Sequence, residues 1–180
     1  MTSATIREIP VLDLAAYRRG DAGSLEATAT RLREICEPVG FLYIVNHGVP
    51  AALTEETFAQ AARFHAQPDE RKIALKINSA MQGYMPMRGS TTRSSALNLN
   101  NKPNENEAYF IKRNGVDIGP EELWPQDLDG FREVTLRYYD AMDELAQAML
   151  PLYARALDLP TDYFTQRCDA PLTGLRLTHY

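Results

Sequence analysis

Apolar residues recur along two stretches of the chain at steps of three and four residues, the spacing of one face of an α-helix. The first stretch, residues 24–39, predicts a helix whose N-cap is Ser24. The second, residues 131–156, predicts the longest helix, and Pro151 within it is expected to produce a kink. Both helices are therefore expected to bury one face in a core.

Four short stretches have the composition of β-strands. "IPVLDL" (residues 9–14) and "EAYFIK" (residues 107–112) are rich in β-branched or aromatic residues. "GFLYIV" (residues 40–45) is a continuous apolar run too short for a helix, so we expect a strand that is buried on both faces. "GLRLTHY" (residues 174–180) alternates apolar and polar positions up to the last residue of the sequence.

Two further helices and one long loop are predicted between these strands. The turn "NHGVP" precedes a helix over residues 50–68, and a short second helix, "PDERKIAL", follows over residues 68–75. Residues 76–106 have almost no periodicity and are rich in Asn and Ser. An aperiodic segment of this length is expected to be a functional loop, a lid or a disordered segment.

The terminal strand has two chemically different faces, because side chains alternate along a strand. Leu175, Leu177 and His179 lie on one face, and Arg176, Thr178 and Tyr180 lie on the other. A guanidinium beside two hydroxyl groups can bind a carboxylate, since arginine presents a fixed fork of donors. A polar face exposed to solvent explains the same pattern equally well.

The three histidines lack the spacing of a common metal or catalytic site. A non-haem iron site takes two histidines and one carboxylate, and His-x-Asp in a strand would place two of these ligands on one face. None of His47, His65 and His179 begins such a pair. His47 in a turn and His65 near a helix end are expected to be structural. The residues themselves therefore predict no metal ligand.

Composition narrows the possible classes of protein. The 180 residues are 44% hydrophobic and 24% charged with a net charge of -5, which fits one globular domain and argues against a nucleic-acid-binding surface. Cys36 and Cys168 fit no metal or disulfide spacing, and neither a signal sequence nor an apolar span of about 20 residues occurs. We expect a reduced, cytoplasmic protein with no nucleic-acid partner and no membrane partner.

The order of motifs resembles a known family. From Ile9 to Tyr180 the chain contains, in order, IPVLDL, GFLYIVNHGVP, PDERK, QGYMP, NENEAYF, LWP and LRLTHY. This order is similar to the N-terminal half of iron(II)- and 2-oxoglutarate-dependent dioxygenases of the isopenicillin N synthase-like group. The resemblance implies an α+β fold in which an N-terminal helical region leads into a double-stranded β-helix, or jelly roll, incomplete in this chain. Residues 1–180 would then form a single domain without the metal-binding half.

The resemblance also implies which residues serve the cofactors. The family holds Fe(II) with His-x-Asp and a distal His that follow the "LRLTHY" strand, so no catalytic residue and no metal ligand is assigned here, and His179 is not expected to bind the metal. Tyr180 matches a tyrosine that helps hold the distal carboxylate of 2-oxoglutarate. Arg176 matches a basic position that lines the same cavity, and Thr178 a position often occupied by Asn. Arg88 lies where related enzymes contact the substrate.

The implied activity is oxidation, most commonly hydroxylation, of a small polar substrate by molecular oxygen. Fe(II) is the implied cofactor, and the cosubstrate 2-oxoglutarate would be converted to succinate and CO2. Two alternatives remain open at this point. One is a truncated, non-catalytic binding protein derived from the same fold, whose open sheet edge would most simply be covered by dimerisation. The other is an iron oxidase that does not use 2-oxoglutarate.

Overall fold

A computed structural model describes residues 8–91, 103–114, 118–168 and 171–180. The chain divides into two units. The first unit consists of Met1–Val49 and Asp140–Asp169, and the second consists of Pro50–Tyr139 and Ala170–Tyr180. No helix within the described ranges combines the length and the apolar character needed to cross a membrane.

The first unit contains a two-stranded parallel sheet and three helical segments. Strands β1 (Val11–Asp13) and β2 (Tyr43–Val45) pair in parallel, and helices α1 (Ala15–Arg19) and α2 (Ser24–Cys36) connect them. The C-terminal half of the long helix α5 (Phe131–Ala156) completes the unit. Its core is formed by Leu12, Leu14, Ala29, Leu32, Ile35, Met149, Leu152 and Ala156.

Helix α2 confirms the predicted periodicity but begins differently from the prediction. Ala29, Leu32 and Ile35 are buried as the three- and four-residue spacing indicated. Ser24 is the first helical residue, and the N-cap is Gly23, which has a φ of 74° and provides no side-chain cap. The predicted capping role of Ser24 is therefore wrong, because a left-handed glycine turns the chain into the helix one residue earlier.

Strand β2 is buried on one face only, which corrects the expectation of burial on both. Phe41, Tyr43 and Val45 are exposed by 74%, 60% and 39%. The alternate residues Leu42 and Ile44 pack against the core of the unit. The reason is that the two-stranded sheet meets helices on one side, so the continuous apolar run alternates between core and surface.

The turn after β2 is held by hydrogen bonds, one to β1 and one within the turn, as the structural interpretation of "NHGVP" predicted. Asn46 has a φ of 54° and donates through Nδ2 to Asp13 Oδ1 at 2.7 Å. His47 Nδ1 accepts the amide proton of Val49 at 3.1 Å. Gly48 has a φ of 86°, and a Cβ there would lie 2.2 Å from Arg18 Nη2. The left-handed φ favours glycine at position 48, whereas the flexible Arg18 side chain can move away from a Cβ.

The second unit is a three-stranded antiparallel sheet with helices packed on it. Helices α3 (Ala51–His65) and α4 (Asp69–Ala74) are followed by strands β3 (Gly83–Met85), β4 (Glu107–Asn114) and β5 (Leu172–His179), in the sheet order β3-β4-β5. The N-terminal half of α5 belongs to this unit. An aromatic core is formed by Phe64, Tyr84, Tyr109, Trp124, Phe131 and Tyr139, with Ile111, Leu128 and Leu177.

The expected long loop, residues 76–106, is partly structured. Strand β3 lies inside it and pairs with β4, so Tyr84 is opposite Tyr109. The prediction missed β3 because its three residues are too few to show a period. Residues 92–102 of the expected loop lie outside the described residues.

One side chain on the predicted helices behaves differently from expectation. Phe58 on α3 is 73% exposed, although its spacing placed it among the apolar residues of that helix. Helix α5 runs from Phe131 to Ala156 with Pro151 inside it, and the kink expected at Pro151 stays a prediction. The predicted long helix is thereby confirmed in both bounds.

Candidate functional site

The register of β5 against β4 separates the two faces that the sequence predicted. Arg176 is opposite Phe110 and Thr178 is opposite Ala108, whereas His179 is opposite Glu107. Because side chains alternate along a strand, Arg176 and Thr178 share one face, and His179 lies on the other with the buried Leu177. The prediction of an extended terminal strand is confirmed over residues 172–179.

Arg176 is held by a neutral side chain and an aromatic ring. Its Nη2 donates to Asn106 Oδ1 at 3.2 Å. The guanidinium carbon lies 5.1 Å from the centroid of the Phe110 ring, within the range of a cation–π contact. These two contacts leave most of the five N–H donors of the guanidinium available to a ligand.

A cavity of about 160 Å³ lies beside β5 in the second unit. Its lining residues are Thr54, Thr57, Phe58, Ala61, Tyr138, Leu175, Arg176, Leu177 and Thr178. The lining takes residues from both faces of β5, Leu175 and Leu177 as well as Arg176 and Thr178, so the cavity lies along the edge of this outer strand and not over its polar face.

The other two predicted site residues lie at the surface. Tyr180 follows the end of β5 and is 86% exposed. Arg88 has a φ of 62° and donates through Nε to both oxygens of Glu105 at 3.0 and 3.1 Å. The described structure thus brings together Arg176 and Thr178, while Tyr180 and Arg88 do not line the cavity beside β5.

A cluster of ionisable side chains is buried on the opposite face of the same strands. Its centre is Glu107, the first residue of β4, which is 4% exposed. Glu107 Oε2 accepts hydrogen bonds from Lys72 Nζ at 2.8 Å and from the Tyr84 hydroxyl. Glu107 Oε1 accepts from His179 Nδ1 at 3.0 Å. We refer to Lys72, Tyr84, Glu107, His65 and His179 as the Glu107 cluster.

Hydrogen bonds in the Glu107 cluster shift the pKa values of Glu107 and Lys72 more than burial does, and in the opposite direction. Burial by itself would raise the pKa of Glu107, but the hydrogen bonds from Lys72, Tyr84 and His179 lower that pKa to about 2. Burial would lower the pKa of Lys72, and the hydrogen bonds to Glu107 and Asp69 instead raise it. Glu107 and Lys72 are therefore a charged pair at neutral pH. Burial and the bond to Glu107 raise the pKa of Tyr84 to about 12.

His65 lies in the cluster as a neutral side chain. Its Nε2 is 3.3 Å from the Leu177 carbonyl oxygen, which can only accept, so Nε2 carries the proton of that bond. Its Nδ1 is 3.2 Å from Glu107 Oε1 without forming a hydrogen bond. Burial lowers the pKa of His65 more than Glu107 raises it, so the contact with Glu107 is not an ion pair at neutral pH.

Two histidines and a carboxylate are also the donor set of non-haem iron, so the cluster must be tested as a metal site. The ligand atoms of His65, Glu107 and His179 lie within 4.8 Å of one another. However, the ammonium of Lys72 already binds Glu107, and His179 Nδ1 is engaged as a donor. A divalent ion would add positive charge beside a buried ammonium. The cluster therefore fits a hydrogen-bonded ion pair and not an iron centre.

Sequence reasoning missed the Glu107 cluster, although one signal was present. Glu107 occupies the same face of β4 as Tyr109 and Ile111, both buried. An acidic residue at a core-facing position of a strand needs a buried partner. The sequence did not indicate that Lys72 would be that partner, because the two residues are 35 positions apart.

The comparisons with known proteins agree with this architecture. The family model "non-haem dioxygenase in morphine synthesis N-terminal" matches residues 9–127. The chain belongs to this family. The resemblance inferred from the motif order is thereby confirmed, and so is the assignment to the 2-oxoglutarate and Fe(II) oxygenases.

Relatives from fungi and bacteria match almost the whole chain. The chain is 30% identical to the 2-oxoglutarate-Fe(II) type oxidoreductase hxnY of Emericella nidulans, covering 95% of this chain and 52% of that protein. It is 26% identical to isopenicillin N synthase of Streptomyces griseus, covering 96% and 55%. The chain thus spans about half the length of these relatives.

A solved structure shows the same fold. It is that of a full-length Neurospora crassa protein in complex with alpha-KG, and it superposes with a TM-score of 0.79 at 25% identity. The superposition covers 96% of this chain and 54% of the Neurospora protein. The predicted fold class, α+β with a helical region leading into an incomplete jelly roll, is confirmed by this likeness.

Proposed function

We propose that this chain forms the cosubstrate-side wall of an Fe(II)- and 2-oxoglutarate-dependent dioxygenase. The reaction would consume 2-oxoglutarate, O2 and a small polar substrate and release succinate, CO2 and the hydroxylated product. Fe(II), when bound in the complete enzyme, supplies the activation of oxygen. The 180 residues contain no His-x-Asp pair, and the Glu107 cluster does not fit iron, so no step at the metal is assigned to them.

The observation that carries this proposal is the polar face of β5. Arg176 and Thr178 lie on the face of β5 opposite the buried Leu177, and the Arg176 guanidinium retains unused donors. A dicarboxylate is the class of ligand that such a fork binds best, because two parallel N–H···O bonds can form with one carboxylate group. We assign Tyr180 to the same site, and Arg88 to substrate contact, on the family match of their positions.

The polypeptide encoded by the complete gene provides the test. Purified protein is incubated with Fe(II), 2-oxoglutarate and air, and succinate is measured with and without a metal chelator. We expect succinate formation that the chelator abolishes. Arg176→Ala should raise the apparent KM for 2-oxoglutarate by about tenfold, the loss expected for one charge-assisted bond.

Arg167 provides a matched control for this variant. It also stacks on an aromatic ring, with its guanidinium carbon 3.9 Å from the Tyr163 ring centroid, but it belongs to the first unit and does not line the cavity beside β5. Arg167→Ala should leave the apparent KM unchanged. Equal KM values for Arg176→Ala and the unmodified protein would remove Arg176 from the site.

The alternative of a non-catalytic binding protein gives a different result. It would form no chelator-sensitive succinate, while 2-oxoglutarate or another small acid would still bind in a manner that depends on Arg176. An iron oxidase that does not use 2-oxoglutarate would consume oxygen with Fe(II) and form no succinate. A cytoplasmic location is part of the proposal, and the free thiols of Cys36 and Cys168 are consistent with a reducing compartment.

A further inference from the structure

Arg176 has no carboxylate partner among the described residues, a property that it shares with Arg63, whose guanidinium donates to Gln60 and to the Asp129 carbonyl oxygen. The recorded contacts of Arg176 are the amide oxygen of Asn106 and the ring of Phe110. Several arginines of the second unit are instead neutralised by acids, and these pairs are Arg71–Asp127, Arg88–Glu105, Arg132–Glu121 and Arg137–Glu56. In a chain with a net charge of -5, an arginine that keeps its full charge on the polar face of β5 requires an explanation.

Asn106 is placed to hold this guanidinium without cancelling its charge. It is 9% exposed and immediately precedes β4, where the neighbouring Glu107 is fixed by the buried cluster. An amide oxygen accepts one N–H from Arg176, and it contributes no formal negative charge. A carboxylate in the same place would neutralise the arginine and compete with any acidic ligand.

The two contacts of Arg176 also restrict different movements. The hydrogen bond to Asn106 Oδ1 fixes one edge of the guanidinium, and the Phe110 ring covers one of its faces. An arginine fixed in this way loses less conformational freedom when a ligand binds than a freely moving one would. Binding is therefore expected to be tighter than Arg176 alone would provide.

We propose that Asn106 is a positioning residue that orients Arg176, as a charged and preorganised donor, toward a carboxylate of the cosubstrate. This inference rests on the proposed function, because it takes 2-oxoglutarate as the ligand of Arg176. Asn106 itself does not have to touch the ligand. Its contribution is to fix the direction of the guanidinium and to leave its charge available.

Two substitutions of Asn106 distinguish its effect on the orientation of Arg176 from its effect on the charge of Arg176. The dissociation constant of 2-oxoglutarate is measured by calorimetry on the Fe(II)-loaded complete protein. Asn106→Ala removes the acceptor and should weaken binding about threefold to tenfold. Asn106→Asp keeps an acceptor of the same shape but neutralises Arg176, so it should weaken binding more than Asn106→Ala does. A purely structural role would give the reverse order, since Asp retains the hydrogen bond.

Asn78→Asp is the matched control for the added charge. Asn78 Oδ1 accepts the amide protons of Ala80 and Gln82 in a turn before β3, and an aspartate can accept both. The turn lies outside the lining of the cavity beside β5. Asn78→Asp should leave the dissociation constant within about twofold, so a general effect of negative charge is separated from the local one.

The double variant that combines Asn106→Asp with Arg176→Ala tests whether Asn106 acts through Arg176. If Asn106 acts through Arg176, then Asn106→Asp should have no further effect once Arg176 is alanine. Weaker binding in Arg176→Ala together with unchanged binding in Asn106→Asp would overturn this inference and leave the proposed function standing. Unchanged binding in Arg176→Ala itself would overturn the proposed role of Arg176 and the inference with it.

Discussion

The carboxylate of Glu107 contacts side chains from four other helices and strands of the second unit. Its partners come from α3, α4, β3 and β5, and both it and Lys72 have side chains exposed by only 6%. Removing one partner of such a pair leaves an uncompensated buried charge. Single residues in this cluster therefore carry a large share of the stability of the sheet.

Glu107→Gln should lower the free energy of unfolding by about 3 kcal/mol, because Lys72 would keep its buried charge with only the exposed Asp69 as counter-ion. Urea denaturation measures the change. Glu105→Gln is the control, since the side chains of Arg88 and Glu105 are 66% and 67% exposed, and an exposed pair contributes at most about 1 kcal/mol. Equal losses in the two variants would contradict the assignment of the cluster as a buried charge pair.

A buried hydroxyl on α5 is expected to lower the stability of the protein, so its removal should raise the free energy of unfolding. Thr135 is fully buried, and its Oγ1 has no hydrogen-bond partner in the described part of the chain. Thr135→Val should raise the free energy of unfolding by about 1 kcal/mol, because it removes an unsatisfied polar group at nearly constant volume. Thermal unfolding tests this gain.

Thr57 is the matched control for that variant. It is 4% exposed on α3, and its hydroxyl donates to the Leu53 carbonyl oxygen at 2.7 Å. Thr57→Val removes a hydrogen bond that is made, so it should lower the free energy of unfolding by about 1 kcal/mol. A stabilisation of the same size in both variants would show that the hydroxyl bond is irrelevant.

At the scale of elements, helix α5 contains a proline, Pro151, that weakens it. Pro151 lies near the end of a 26-residue helix and cannot donate the backbone hydrogen bond of its position. Pro151→Ala should raise the free energy of unfolding by about 1–3 kcal/mol, because proline in a helix interior costs about 3 kcal/mol relative to alanine. Chemical denaturation followed by circular dichroism measures the change, and a loss of stability would contradict the prediction.

Strand β5 carries residues of both the Asn106–Arg176 pair and the Glu107 cluster. Asn106 and Glu107 are consecutive, and they contact Arg176 on one face of β5 and His179 on the other. The paired residues of β4 and β5 fix this arrangement, since a shift of one residue would exchange the two faces. The Glu107 cluster thus secures the register that places Arg176 on the polar face of β5.

At the scale of the whole molecule, acid should destabilise the protein in a defined range of pH. The pKa of Glu107 is lowered from 4.5 to about 2, so its contribution to stability is fully present above pH 4.5 and is lost as the pH falls toward 2. The free energy of unfolding should decline across this range. In Glu107→Gln the decline should be smaller, and an identical pH profile in both proteins would contradict this assignment.

The chain as a whole matches the N-terminal part of a family fold, and it spans about half the length of its relatives. The longer helices, four of the five strands and the family were predictable from periodicity, composition and motif order. These properties depend on neighbouring residues, which the sequence displays directly. The depth of burial was less predictable, as Phe58 and the exposed face of β2 show, because it depends on which elements cover each face.

The sequence by itself determined that Arg176 and Thr178 lie on one face of β5 and His179 on the other, because side chains alternate along a strand. Only the tertiary structure decided that Lys72 meets Glu107 and that Asn106 meets Arg176. These partners are 35 and 70 positions apart. Contacts over such distances are set by strand register and by helix packing, which arise from the chain as a whole and leave no periodic trace in the sequence.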